Sequence, residues 1–148
     1  MGFPDPDQEH DGSAVDALLA AVRAGVERVT ADQLAAEVDA GAMVVDIRPV
    51  EQRTRDGELA GAVVVDRNVL EWRLDPTCPH RLAEASDADR RIVVVCNEGY
   101  SSSLAAESLR RLGLRRATDL VGGYQAVLAL SRRTGSTGGP ARTGPPLV

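Results

Sequence analysis

Two runs of adjacent apolar residues limit this chain more than any other feature: AMVVDI at 42–47 and RIVVVC at 91–96. A strand with one face in water alternates apolar and polar side chains. These runs do not alternate until Asp46, so both faces of each strand must be covered. Between and around the runs lie segments with helical spacing. Strands that alternate with helices predict a parallel sheet, with helices packed on both faces.

The remaining elements follow from caps and breakers. Ser13 and Asp16 form a capping-box pattern, and Val15, Leu18, Leu19 and Val22 continue as one helical stripe that Gly25 ends. This stripe predicts a helix from Ser13 to Arg23 that packs on the domain. VERVT is a short strand candidate. Thr30 and Gln33 open a second helix, with Leu34, Ala35 and Val38 as its inner face. GELAGAVVVD holds a turn and a strand. Val69, Leu70, Trp72 and Leu74 predict a short helix closed by Pro76, with Trp72 packed. Leu104, Ala105, Leu109 and Leu112 line a longer helix, with Arg110 and Arg111 in its last turn and Gly113 beyond it. ATDLV is a last strand and GGYQAVLALSRR a last helix. Five strands are thus expected, near 26–29, 42–47, 62–65, 91–96 and 117–121, in a mainly parallel sheet.

A chain of 148 residues is long enough for one domain with a core. Aromatic residues make up 3% of it, so Val, Leu, Ile and Ala must supply that core. The domain is expected at 13–133. Residues 1–12 are acidic and turn-rich, and residues 134–148 are rich in Gly and Pro; both are expected to be disordered tails. A net charge of −5 argues against a nucleic-acid partner. The sequence has neither a membrane-length apolar run nor a basic, apolar leader at residues 1–12, so no membrane partner and a cytoplasmic location are expected. The chain's two cysteines make no disulfide framework.

One of those cysteines carries the chemistry. Cys96 ends the second apolar run, at the carboxyl end of a strand, where α/β sheets bind ligands. Asn97, Glu98, Gly99, Tyr100, Ser101 and Ser102 follow, and a helix begins within them. Gly99 lets the loop curl, so that backbone N–H groups turn inward as an anion nest. The helix N-terminus adds further N–H groups and its positive dipole end. Such a setting stabilises a thiolate and suits a nucleophile that carries a transferred group. Serine hydroxyls can donate to the sulfur or to a bound oxyanion.

IVVVCNEGYSSSLAAESLRRLGL resembles the active-site segment of rhodanese-like domains. VVDIRPVEQR is similar to the family's Asp-x-Arg strand end, at Asp46 and Arg48. GELAGAVVV resembles its Gly-His-Ile-x-Gly-Ala segment, with Glu58 where histidine is usual. DLVGGYQAV resembles its Leu-x-Gly-Gly motif, followed by Tyr124. The resemblance runs from about Arg28 to Leu130. It implies a three-layer α/β fold and a sulfurtransferase. In that chemistry the Cys96 thiolate takes sulfur from a small-molecule donor such as thiosulfate or 3-mercaptopyruvate. The resulting persulfide passes its outer sulfur to a thiophilic acceptor, such as cyanide, a thiol or a protein. The resemblance implies no metal and no organic cofactor. Asp46 and Arg48 are expected to brace the loop as an ion pair or to contact substrate.

The loop departs from the family in charge. It holds Glu98 and no Lys or Arg from Asn97 to Ser103, which disfavours a dianionic donor unless Arg48, Arg53, Arg55 or Arg73 compensates. A rhodanese-related phosphatase would need an arginine six residues after its cysteine to grip phosphoryl oxygens; Ser102 stands there. A non-catalytic interaction module is the other alternative, although such modules commonly lose the cysteine. Cys78, in DPTCPH, reads as an incidental loop cysteine rather than a resolving thiol. His80 and His10 build no zinc cluster. The sequence sets no oligomeric state.

Overall fold

The computed structural model describes residues 12–134. Both expected tails, 1–12 and 134–148, fall outside them except at Gly12 and Thr134. The helices are α1 (Ala14–Arg23), α2 (Leu34–Asp39), α3 (Val50–Asp56), α4 (Leu70–Leu74), α5 (Ser101–Arg111) and α6 (Gly123–Thr134). The strands are β1 (Met43–Asp46), β2 (Val63–Val64), β3 (Ile92–Val95) and β4 (Ala117–Asp119). They form one parallel sheet in the order β2-β1-β3-β4.

The sheet has four strands among the described residues, not the expected five. Residues 26–29 contribute a single bridge, from Val29 to Leu120. The reason lies in how the backbone groups of this segment are already used. The Val26 N–H turns back to the Arg23 carbonyl, the Glu27 carbonyl accepts the Thr118 hydroxyl, and a turn of 3-10 helix starts at Ala31. Only Val29 keeps both backbone groups for the edge, donating to the Asp119 carbonyl and accepting from the Val121 N–H.

The runs in β1 and β3 are buried along their length. Alternate residues enter two separate apolar clusters, as the strand pleat requires. Met43, Val45, Ile92, Val94 and Cys96 share one with Leu70, Leu74, Ala105 and Leu109. Val44, Val93 and Val95 share the other with Leu120 and Tyr124, against which Val127 and Leu128 pack.

Helical faces are covered less than their periodicity suggests. The Ser13 hydroxyl accepts from the Asp16 N–H at 3.1 Å, and the Asp16 carboxylate accepts from the Ser13 N–H, so α1 starts as expected. Of its stripe, only Leu19 is buried; Val15 and Leu18 are exposed. On α2, which is six residues long, Leu34 packs while Ala35 and Val38 are exposed. Trp72 is 56% exposed, a correction to its expected packing. Leu70 and Leu74, one turn apart, bury the inner side of α4 and leave Trp72 on the other. On α5 the buried stripe is Ser102, Ser103, Ala105, Ala106 and Leu109, and Leu112 lies outside it. Helix α3 has no counterpart among the expected elements. Pro49 precedes it, in the conformation that starts a helix.

Candidate active site

Strand β3 brings Cys96 to the carboxyl end of the sheet, and α5 begins at Ser101. The residues between curl around the sulfur. The Gly99 N–H donates to Cys96 Sγ at 3.1 Å and the Ser102 N–H at 3.3 Å. Gly99 has φ +87°, and a β-carbon on it would meet the Gly122 nitrogen at 2.6 Å. Only glycine meets both conditions.

Two of the three serine hydroxyls are directed away from the sulfur. Ser102 and Ser103 donate theirs to Asp119 Oδ2, at 2.7 and 2.9 Å. Asp119 also accepts from Arg28 Nε at 2.9 Å and Nη2 at 3.1 Å. Ser101 is exposed at the rim. Asp119, buried at the end of β4, thus anchors the first turn of α5.

Outside the loop, Arg23 Nη2 and Arg28 Nη2 both donate to the Gly99 carbonyl, at 2.8 and 3.1 Å. Arg23 Nε donates to Ser103 Oγ at 2.9 Å, and its guanidinium stands 5.8 Å from the centre of the Tyr100 ring. Partial burial first, and the adjacent Arg28 charge second, hold the Arg23 guanidinium below its ordinary pKa.

The Gly-Gly motif lies beneath the loop. The Tyr124 N–H donates to the Cys96 carbonyl at 2.8 Å, and the Gln125 N–H to the Asn97 carbonyl at 3.1 Å. Gln125 Nε2 bridges Asn97 Oδ1 and Asp56 Oδ2, each at 3.0 Å.

Asp46 and Arg48 are a buried pair. Arg48 Nη2 donates to Asp46 Oδ2 at 2.8 Å and to the Gly57 carbonyl at 2.9 Å. The guanidinium lies 3.9 Å from the centre of the Tyr124 ring, close enough for a cation–π contact. Arg48 also lines the depression over Cys96, together with Pro49, Gln52, Glu98, Tyr100 and Ser101. Its volume is about 260 Å³. A roomier depression of about 780 Å³, walled by Arg28, Glu37, Arg91 and Arg116, holds no cysteine; the smaller one is lined by Cys96.

The other arginines are engaged elsewhere. Arg53 pairs with Glu58 at 3.0 Å, Arg55 with Asp56 at 2.7 Å, and Arg73 donates to the His80 carbonyl. The Asp56 hydrogen bond chiefly, with a smaller part from the Glu98 charge, raises the Arg55 pKa above its ordinary value. Cys78 is a free thiol that accepts a long bond from the His80 N–H at 3.4 Å.

The structure therefore gathers Asn97, Glu98, Gly99, Tyr100, Ser101 and Ser102 around Cys96, with Arg48 at the rim of the depression. Sequence reasoning missed Arg23, Arg28, Asp119 and Gln125. Asp119 carried a usable signal: it is an acid at the end of a short strand, three residues before the Gly-Gly pair.

Residues 30–130 match the rhodanese-like domain family. The chain belongs to that family. It is 31% identical over 99 residues to thiosulfate sulfurtransferase GlpE of Stutzerimonas stutzeri, covering 67% of this chain and 82% of that one. A solved structure from Rhodopseudomonas palustris, described as a protein of unknown function and possible tyrosine phosphatase, aligns with TM-score 0.72 and 26% identity over 88% of this chain and 97% of that one. A rhodanese-related protein from Thermoplasma volcanium has the same fold, with TM-score 0.56 and 22% identity over 71% of this chain and 93% of that one. The rhodanese-like match begins at residue 30, so α1, Arg23 and Arg28 precede it. Among the described residues, no helix is long and apolar enough to cross a membrane.

Proposed function

We propose that residues 13–133 form one three-layer rhodanese-like domain, a sulfurtransferase that carries sulfane sulfur on Cys96. The two apolar clusters, taken as the two covered faces of the sheet, support the layering. The similarity to a thiosulfate sulfurtransferase supports the reaction class. The observation that carries the chemistry is the pair of backbone N–H groups, from Gly99 and Ser102, converging on Cys96 Sγ.

In the first half-reaction the Cys96 thiolate attacks the sulfane sulfur of the donor. A new S–S bond forms on Cys96 as the donor's S–S or C–S bond breaks. The leaving group, sulfite in the case of thiosulfate, departs with the electron pair. The N–H groups hold the anionic persulfide in place of water. In the second half-reaction a thiol or other thiophilic acceptor attacks the outer sulfur, and the Cys96 thiolate leaves with the bonding pair. Neither step needs a metal or a redox cofactor.

Phosphoryl transfer would need a cation in the loop to grip the transferred group. Ser102 occupies that place, and its hydroxyl is committed to Asp119. The deciding experiment is mass measurement of the Cys96 peptide after incubation with thiosulfate, 3-mercaptopyruvate and a thiol persulfide. One added sulfur, absent in Cys96→Ser, is the expected result. No added sulfur from any donor would overturn the reading and favour an interaction module, and turnover of an aryl phosphate would favour the phosphatase.

A further inference from the structure

The cradle around Cys96 is made of backbone, so it is only as ordered as the φ and ψ angles that aim its N–H groups. The weak point is Gly99. It has no side chain to limit its rotation, and its N–H is one of the two donors on the sulfur. Its carbonyl projects the other way, onto two guanidinium groups. Hydrogen bonds to charged donors are the stronger kind, and here two converge on one oxygen.

Arg28 has a second task, since it is also bonded twice to Asp119. Arg23 is different. Its guanidinium reaches the loop and the first turn of α5, at the Gly99 carbonyl, the Ser103 hydroxyl and the face of Tyr100. It stands at the last position of α1, a helix with one buried side chain, Leu19. Burial of the apolar stripe therefore explains little of why α1 docks. Polar links at its C-terminal end do more, with Arg110 Nη2 donating to the Val22 carbonyl at 3.2 Å beside the Arg23 contacts.

We propose that Arg23 is a positioning residue for Cys96: through the Gly99 carbonyl it holds the active loop in its sulfur-binding conformation, and α1 is the element that delivers it. The sulfur that the loop would hold rests on the sulfurtransferase reading above. The positioning itself concerns the thiolate and stands apart from that reading. Arg23 touches no reacting atom. Without it the Gly99 carbonyl keeps Arg28 as its one guanidinium donor, and the Gly99 N–H is aimed at Sγ less firmly. The positive charge that Arg23 sets near Cys96 is lost as well, so the thiolate loses part of its stabilisation.

The test uses the full chain as Arg23→Ala and Arg23→Lys. Iodoacetamide alkylation of Cys96 is followed by mass across a pH series, at a temperature where unfolding curves show each protein folded. For Arg23→Ala the profile should move to higher pH, with the rate on its rising limb falling about three- to tenfold, because on that limb a thiol's ionised fraction falls about tenfold for each unit by which its pKa rises. Arg23→Lys should fall between, because an ammonium keeps the charge but cannot bond Gly99 and Ser103 together. If α1 only adds stability, the unfolding temperature drops while the alkylation profile stays with the native one, and the proposal is overturned. Arg23→Lys separates position from charge, and decides also if Arg23→Ala does not fold: a profile identical to native overturns the proposal, and a displaced one supports it. Sulfur loading of the native protein separates the two ideas. Native Cys96 that takes no sulfur removes the sulfurtransferase reading and leaves the alkylation result standing. Native Cys96 that loads sulfur, alongside an unchanged Arg23→Ala profile, removes the positioning role alone.

Discussion

Gly123 packs so tightly under Cys96 that a β-carbon on it would lie 2.4 Å from the Cys96 carbonyl oxygen. Its φ is +62°, in the left-handed region that other residues enter at a cost. Gly123→Ala should therefore destabilise the fold by about 3 kcal/mol, from backbone strain and overlap together. Chemical denaturation measures the loss. Because the clash is with the loop's own backbone, Cys96 alkylation should slow in the fraction that stays folded. A stability within error of native would sink this expectation.

Asp119 should matter more than a typical surface acid. It is buried and accepts from Arg28, Ser102 and Ser103. Asp119→Ala leaves those three donors without their acceptor, at a cost of about 3 kcal/mol. Asp119→Asn keeps one acceptor oxygen and should lose less. The order native, Asn, Ala in unfolding midpoints checks the argument, and equal midpoints would contradict it.

Glu98 is exposed at the rim of the depression over Cys96. A carboxylate there repels a dianion, and Arg55, which feels the Glu98 charge, is already paired with Asp56. Thiosulfate turnover should be poor in the native protein. It should rise about two- to fivefold in Glu98→Gln and further in Glu98→Lys, since exposed charges act weakly but with a definite sign. The gain should shrink as salt is added. Steady-state rates at low and high ionic strength read the effect; unchanged rates in Glu98→Lys would show that the carboxylate does not act on the donor.

Acid should loosen α2 from the sheet. Glu37 accepts from Arg91 Nε at 3.0 Å and Nη2 at 3.2 Å, and this bond holds its carboxyl below the usual glutamate pKa. A group depressed in the folded state binds a proton more readily when unfolded. Its contribution is present above the unfolded value, about 4.3, and is lost as pH falls through the lower folded value. Stability measured from pH 6 down to about 3 should fall less steeply in Glu37→Gln than in the native protein. Parallel curves would show the pair contributes nothing.

Much of this protein is legible without coordinates because some constraints are local. Unbroken apolar runs at 42–45 and 92–96 require burial on both faces, and the pleat then sends Ile92 and Val94 one way and Val93 and Val95 the other. Cys96 at a strand end, Gly99 three residues later and a helix start at Ser101 define the cradle from one continuous segment. Periodicity reports that a helix has an apolar side, but not how much of that side a neighbour covers. Val15, Leu18 and Leu112 are therefore apolar and exposed. The fifth strand failed for a related reason. Strand propensity near 26–29 is local, whereas the free backbone groups that pairing needs were taken by Thr118 and by the turn after Arg23. The supports of the loop were beyond reach altogether. Asp119 meets Ser102 across 17 residues, and Arg23 meets Gly99 across 76. Those pairings exist because β4 lies beside β3, and because Arg23, at the end of α1, reaches the first turn of α5. Hydrogen bonds act over about 3 Å of space, and separation along the chain does not enter them.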